Sequence, residues 1–245
     1  MPEDPWQISL HTPTLSRGEV HIWRIFLDQP LVEAQNQWLS PEEQARADRF
    51  IQAEHRRRFI VAHVGLRVIL SRYLQELPQH VRLEQGSHGK PYVTIASQAS
   101  FLQFNLSHTH ELALCAVAWD QSVGVDVEWI HLLPHEEVIA ERFFSREETE
   151  ALCALPSTER LRGFYRYWTC KEAYIKALGL GLSLNFNRFT VRLVPEGSLG
   201  GLVWVDPSLR EDTKQWSLGN IAAAEGYVAA LAVAGNVTIL HFFTF

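Results

Sequence analysis

Two helix-start signatures, one in each half of this 245-residue chain, constrain its organisation more than any other feature. In Ser40-Pro41-Glu42-Glu43 a capping serine precedes a proline at the first helical position and a glutamate at the third. Ser145-Arg146-Glu147-Glu148 repeats the same logic. The first signature opens a helical region with a break expected near Glu54, stopped by Pro78 after Leu77. There Phe59, His63, Leu66, Leu70 and Leu74 fall at helical spacing. Short strand-like runs follow at 81–84, 92–95, 101–106, 112–119 and 122–128, with Asp120-Gln121 as a hairpin turn.

In the second half, helical stretches over 136–144 and about 159–178 end at Gly179, a glycine placed to close a helix. Strands are expected at 190–194, 202–205, 227–233 and 237–243. A further strand, 20–27, precedes the first helix. The order helices-then-strands therefore occurs twice without a sequence repeat. It predicts an α+β fold of two similar subdomains in a pseudo-twofold arrangement, antiparallel sheets packed on helices, divided as 1–125 and 126–245. A site is expected between them.

Apolar residues make up 47% of the chain, which supplies a core for one or two domains. The net charge of −6 argues against a general binder of nucleic acid. Cys115, Cys153 and Cys170 are odd in number and lack C-x-x-C spacing, so neither a disulfide framework nor a cysteine zinc site is expected. The amino terminus carries no basic and apolar leader, and no apolar run reaches the roughly 18 residues of a membrane span. The expectation is a cytoplasmic protein without membrane contact.

Five constellations carry chemistry. In Val123-Gly124-Val125-Asp126-Val127-Glu128, residues two apart on a strand share a face, so Asp126 and Glu128 stand about 7 Å apart opposite the two valines. Their repulsion is roughly 2 kcal/mol at an effective dielectric of 20 and well under 1 kcal/mol in water. A buried face thus requires a cation or a retained proton, whereas a solvated edge requires neither. In Trp168-Thr169-Cys170-Lys171-Glu172-Ala173-Tyr174-Ile175-Lys176, positions 168, 172 and 176 lie along one helical face. A Glu-Lys pair is ordinary surface chemistry, but bulky apolar neighbours suit a cleft wall.

Phe104-Asn105-Leu106-Ser107-His108-Thr109-His110 offers a phosphate-contacting Ser-His pair, a metal-binding H-x-H, or a plain loop. Gly86-Ser87-His88-Gly89-Lys90-Pro91 is not a Walker A loop, because proline follows the lysine, yet a ligand can approach the backbone at Gly89. Finally, seven arginines and no lysine lie between Arg46 and Arg72, against Asp48 and Glu54. That bias favours forked contacts to phosphate or carboxylate.

Taken in order, Gly89-Lys90-Pro91, Phe104 to His108, Val123 to Glu128, Trp168-x-x-Lys171-Glu172-x-x-x-Lys176 and Gly179-x-Gly181-Leu182-Ser183-Leu184 resemble the Sfp-type 4'-phosphopantetheinyl transferases. The resemblance spans about Trp38 to Leu193, and the length suits the monomeric, two-lobed branch. It implies transfer of the phosphopantetheine arm of coenzyme A to a serine of an apo acyl, peptidyl or aryl carrier protein, releasing 3',5'-ADP. It implies Mg2+, or Mn2+, held by Asp126, Glu128 and Glu172, an oxygen-only set that disfavours zinc. Glu172 and Lys176 become the catalytic pair. Coenzyme A is assigned to Arg46, Arg58, Gly89, Lys90, Pro91, Ser107, His108, Lys171 and Lys176, with His108 at the 3'-phosphate.

Two departures stand out: Glu43 occupies a position where some members carry lysine, with Arg46 or Arg49 as substitutes, and Phe59 stands where a small polar residue occurs. The carrier is expected to dock between Arg142 and Arg166, on Phe143, Phe144, Leu161, Arg160 and Arg162. Two other readings are a non-catalytic coenzyme A or nucleotide-binding protein of the same fold and a His108/His110 metal oxygenase.

Overall fold

The computed structural model describes residues 5–8, 13–29, 33–94, 101–181 and 184–245; Ile95, Leu182 and Ser183, named above, lie outside them. Strands β1 (Trp6–Ile8), β2 (Glu19–Phe26), β5 (Leu102–Thr109), β6 (Leu112–Trp119) and β12 (Ile239–Thr244) form one sheet, in the order β1-β12-β2-β6-β5. A second sheet has the order β10-β11-β7, from β10 (Trp216–Ile221), β11 (Tyr227–Ala234) and β7 (Val123–Trp129). Two small hairpins pair β3 (Leu83–Gln85) with β4 (Pro91–Val93), and β8 (Phe189–Val191) with β9 (Leu202–Val205). Helices α1 (Pro41–Ala47), α2 (Ala53–Leu74), α3 (Glu136–Phe143), α4 (Arg146–Cys153) and α5 (Ser157–Leu178) complete the α+β fold.

Strand alternation explains the layering. In β2, Trp23 and Ile25 face α2 with Leu66 and Leu70, whereas Val20 and Ile22 face the second sheet. In β7, Val125 and Val127 join Val20 and Ile22 in that inter-sheet core, which leaves the opposite face to α5. Ala230 and Ala232 of β11 pack against Tyr174 and Phe189 in the α5 core. The result is four layers: α2, first sheet, second sheet, α5. Each sheet carries one 22-residue helix on its outer face, which is the twofold likeness expected from the order of elements.

Both capping boxes form: Ser40 accepts from the Glu43 N–H, Ser145 from the Glu148 N–H, and each glutamate reaches back to its serine N–H. Helix α5 ends at Gly179, whose φ of +69 closes the last turn. The helical break falls at 48–52, just ahead of the expected position.

Three features differ from the expected organisation. A boundary at 125/126 cuts through the middle of β7. The last strand, β12, returns to the first sheet beside β2, so neither subdomain is a contiguous half of the chain. There it runs parallel to both neighbours, β1 and β2, instead of antiparallel. Strands β1 and β10 were not legible, because Trp6–Ile8 is three residues long and Trp216–Ile221 contains a glycine and an asparagine. Among the described residues, no helix is long and apolar enough to cross a membrane.

Candidate active site

Gly124 sets the geometry of the site. A Cβ there would stand 2.1 Å from the Ala173 carbonyl oxygen and 2.4 Å from the Ala177 nitrogen, so α5 lies against the bare backbone of β7. With Val125 and Val127 facing the other sheet, Asp126 and Glu128 point toward this helix, where Glu172 and Lys176 occupy one face. The Lys176 Nζ donates to Asp126 Oδ1 at 2.6 Å and to the Ser107 Oγ at 2.9 Å. Ser107 in turn donates to Asp126 Oδ1 at 2.9 Å. The Asn105 side chain accepts from the Val125 N–H at 2.9 Å, tying β5 to β7 beside the site.

Three carboxylates converge here. Asp126 is 3% exposed, and burial pushes its pKa up although Lys176, Ser107 and the Val127 N–H favour the charged form. Burial, then the Asp126 charge, lifts Glu128 to about 7; Glu172 adds to the rise, while Lys176 and a Thr109 hydrogen bond oppose it. Burial and Asp126 likewise raise Glu172. Moreover, Asp126 Oδ2 is buried without a hydrogen-bond partner. An orphaned carboxylate oxygen beside two carboxylates with raised pKa values is a donor set that a hard divalent cation satisfies.

Adjacent residues on β5 face opposite ways, which separates Ser107 from His108. Ser107 belongs to the Asp126 cluster, and His108 faces α2, so the two are not a nucleophile-base dyad. His108 is exposed in a cleft whose walls lower its pKa to about 4, with His63, Lys176 and Arg46 adding to the effect. Arg46 and Lys176 therefore supply the positive charge around a neutral His108, a field suited to phosphate. In the sequence His63 stands only as a member of an apolar stripe. Its polar interruption of that stripe, near the basic run, was the available signal.

The H-x-H reading fails. His110 has a φ of +49 in the turn after β5, stacks on Trp129 at 5.0 Å and contacts the Tyr227 hydroxyl at 3.3 Å.

Three assigned positions are placed differently from expectation. The Lys171 ammonium is fully buried, paired with Glu148 at 2.8 Å and donating to the Phe186 and Phe189 carbonyls. That removes it from coenzyme A: one residue from Glu172 on a helix is a turn of about 100°, enough to point it into the core. The Lys90 ammonium donates to the Val123 and Ala177 carbonyls at 3.0 and 2.9 Å, closing the end of α5, instead of acting as a free charge. The loop's surface for a ligand is then Gly89, with no atom within 4 Å of an added Cβ, and Pro91 beyond it. Arg58 is held by Glu54 at 2.6 Å and Glu111 at 3.4 Å.

Phe144 is 4% exposed in the α5 core, and Arg160 and Arg162 pair with Glu137 and Glu196 on different elements, so they do not form one docking face. Of the two departures, Glu43 accepts from Arg67 at 2.6 Å and His63 at 3.1 Å, a structural task in place of a phosphate contact. Phe59 packs its ring against His63 at 4.1 Å.

An apolar pocket of about 210 Å³ adjoins the carboxylates, lined by Glu128, His131, Leu133, Ile139, Phe164, Tyr165 and Trp168. Leu132 and Val138 stand exposed close to it in the chain.

Comparison with known proteins places the chain in a family. A family model described as the 4'-phosphopantetheinyl transferase superfamily matches residues 122–232, and one described as 4'-phosphopantetheinyl transferase, N-terminal, matches 27–120. The 4'-phosphopantetheinyl transferase HetI of Nostoc sp. is 41% identical, over 91% of this chain and 90% of its own. The 4'-phosphopantetheinyl transferase Sfp of Bacillus subtilis is 34% identical over 73% of this chain and 79% of its own. The L-aminoadipate-semialdehyde dehydrogenase-phosphopantetheinyl transferase of Mus musculus is 27% identical over 80% and 67%.

Proposed function

This chain belongs to the 4'-phosphopantetheinyl transferase superfamily, and on that premise we propose that it moves the phosphopantetheine arm of coenzyme A onto a serine hydroxyl of an apo carrier protein, with Mg2+, releasing 3',5'-ADP. The observation that carries the reading is the orphaned Asp126 Oδ2, buried beside Glu128 and Glu172, both raised by burial and by the Asp126 charge, and next to one lysine.

Asp126, Glu128 and Glu172 would hold the cation, which supplies neutralisation of the pyrophosphate charge as the phosphorus–oxygen bond breaks. Lys176 needs only to turn from Asp126 Oδ1 to place its ammonium on a reacting phosphate, where it stabilises developing charge. Ser107 keeps Asp126 Oδ1 oriented while it does so. Glu172 also accepts the proton of the incoming serine hydroxyl, directly or through one water. The 3'-phosphate lies against His108 and Arg46, and the nucleotide passes the open backbone at Gly89. The carrier, an acidic helical domain, sets its apolar face against Leu132, Val138 and the Trp168 pocket, beside Glu128. The protein acts as a monomer in the cytoplasm.

Intact mass of an apo carrier protein, after incubation with this protein, coenzyme A and Mg2+, tests the reading. A gain of one phosphopantetheine arm is expected, lost without Mg2+ and lost in Glu172→Ala. Unmodified carrier with coenzyme A bound would favour the non-catalytic binding protein of the same fold. In the same assay, Val138→Asp raises the KM for carrier and leaves the KM for coenzyme A unchanged; equal effects on both would refute the docking face.

A further inference from the structure

A second group of metal-binding side chains lies away from the carboxylate centre, on the first sheet. Strands β2 and β12 run parallel, with His21 directly opposite His241. Cross-neighbours in register project to the same face of a sheet, and adjacent strands are about 4.8 Å apart. Glu19, two residues before His21, shares that face. One ligand atom from each of Glu19, His21 and His241 lies within 4.8 Å of the others. Among the described residues this is the group of three that meets so closely.

The surroundings are built for a ligand role. His21 is 1% exposed, and its Nδ1 contacts the Tyr73 hydroxyl at 2.8 Å. With Nδ1 as donor to that oxygen, Nε2 presents its lone pair; the same oxygen also accepts from Trp23 Nε1 at 2.8 Å. A partner that fixes the second ring nitrogen is the usual support for a metal-binding histidine. One oxygen of Glu19 is anchored by the Ser16 N–H at 2.9 Å. His241 is exposed, which leaves an entry path, and it shares an edge contact with His21 at 5.1 Å between ring centres. Tetrahedral zinc, with bonds of about 2.0–2.1 Å, draws its donors to about 3.4 Å from one another. The exposed His241 and the half-buried Glu19 can make that short adjustment while His21 stays fixed.

We propose that Glu19, His21 and His241 bind one Zn2+, with water in the fourth position, and so staple the returning strand β12 to β2. Two imidazoles and one carboxylate select zinc over Mg2+, the reverse of the oxygen-only set at Asp126. The role is structural: β12 reaches the first sheet from the far end of the chain, and a shared ion holds that non-local pairing.

Zinc titration calorimetry in excess Mg2+, on the whole protein, tests this. One equivalent of Zn2+ is expected for the native chain and for Asp126→Asn, and none for His241→Ala. Glu19→Gln is expected to weaken binding at least tenfold, and it covers the case in which His241→Ala does not fold. Co2+ substitution should give a visible absorption band in the native protein that His241→Ala lacks. Zn2+ should raise the Tm of the native chain and leave that of His241→Ala unchanged. Equal zinc uptake by the native chain and His241→Ala overturns the proposal, as does no uptake at all. Zinc lost from Asp126→Asn but kept by His241→Ala overturns it too, by assigning the ion to the carboxylate centre.

Discussion

Replacing Gly124 by alanine should uncouple folding from catalysis. The new Cβ would lie 2.1 Å from the Ala173 oxygen, whereas real Cβ atoms keep at least 3.0 Å, so β7 and α5 must part by about 0.9 Å. No flexible side chain can absorb this, because both atoms nearest the new Cβ belong to backbone. Overpacking of this kind costs about 1–3 kcal/mol, which a chain of this size survives. The catalytic consequence is larger. Asp126 rides on β7 and Lys176 on α5, and their 2.6 Å contact sits next to the clash. A misplacement of about 1 Å costs on the order of 10²-fold in rate. Urea unfolding and single-turnover carrier modification, measured on the same preparation, separate the two effects. A Gly124→Ala protein that keeps kcat within about threefold would refute the argument that strand–helix contact sets the site.

Two further outcomes follow from buried charge. Lys171→Met leaves the Glu148 carboxylate, 0% exposed, without its cation, and should cost about 3–5 kcal/mol in denaturant unfolding, with Glu148→Gln recovering part of it. At temperatures where the variant is folded, its Kd for coenzyme A should match the parent's within about twofold; a tenfold loss would restore Lys171 to the ligand site. In metal-free protein, Glu128 has a pKa raised from 4.5 to about 7, so its contribution to stability is fully present below pH 4.5 and is lost as pH rises to about 7. Over the same interval Mg2+ affinity should climb and then level off, because the ion requires the carboxylate charged. A Mg2+ Kd that is flat from pH 5 to pH 8 would contradict the shift.

Much of the site was readable along the chain because it rests on local periodicity. Asp126 and Glu128 share a face because strands alternate, and Trp168, Glu172 and Lys176 share one because helices turn every 3.6 residues. The capping boxes at Ser40 and Ser145 located helix starts within a residue, since their bonds span only three positions. The ordered motifs carried family membership. A motif position does not fix a ligand contact where a long side chain can reach more than one partner. Lys90 and Lys171 sit in motif positions, yet one closes the end of α5 and the other lies in the core.

What the sequence determined by itself, then, was which residues share a face and which elements alternate, because both follow from backbone geometry over a few residues. Only the tertiary structure decided which faces meet. It brought α5 against Gly124, leaving Asp126 Oδ2 buried without a partner, and it set His63 and Arg46 across from His108. It also returned β12 to β2, placing His241 opposite His21. These pairings join residues far apart in the chain, and their free energy comes from burying surfaces that local patterns mark as apolar but do not match to one another.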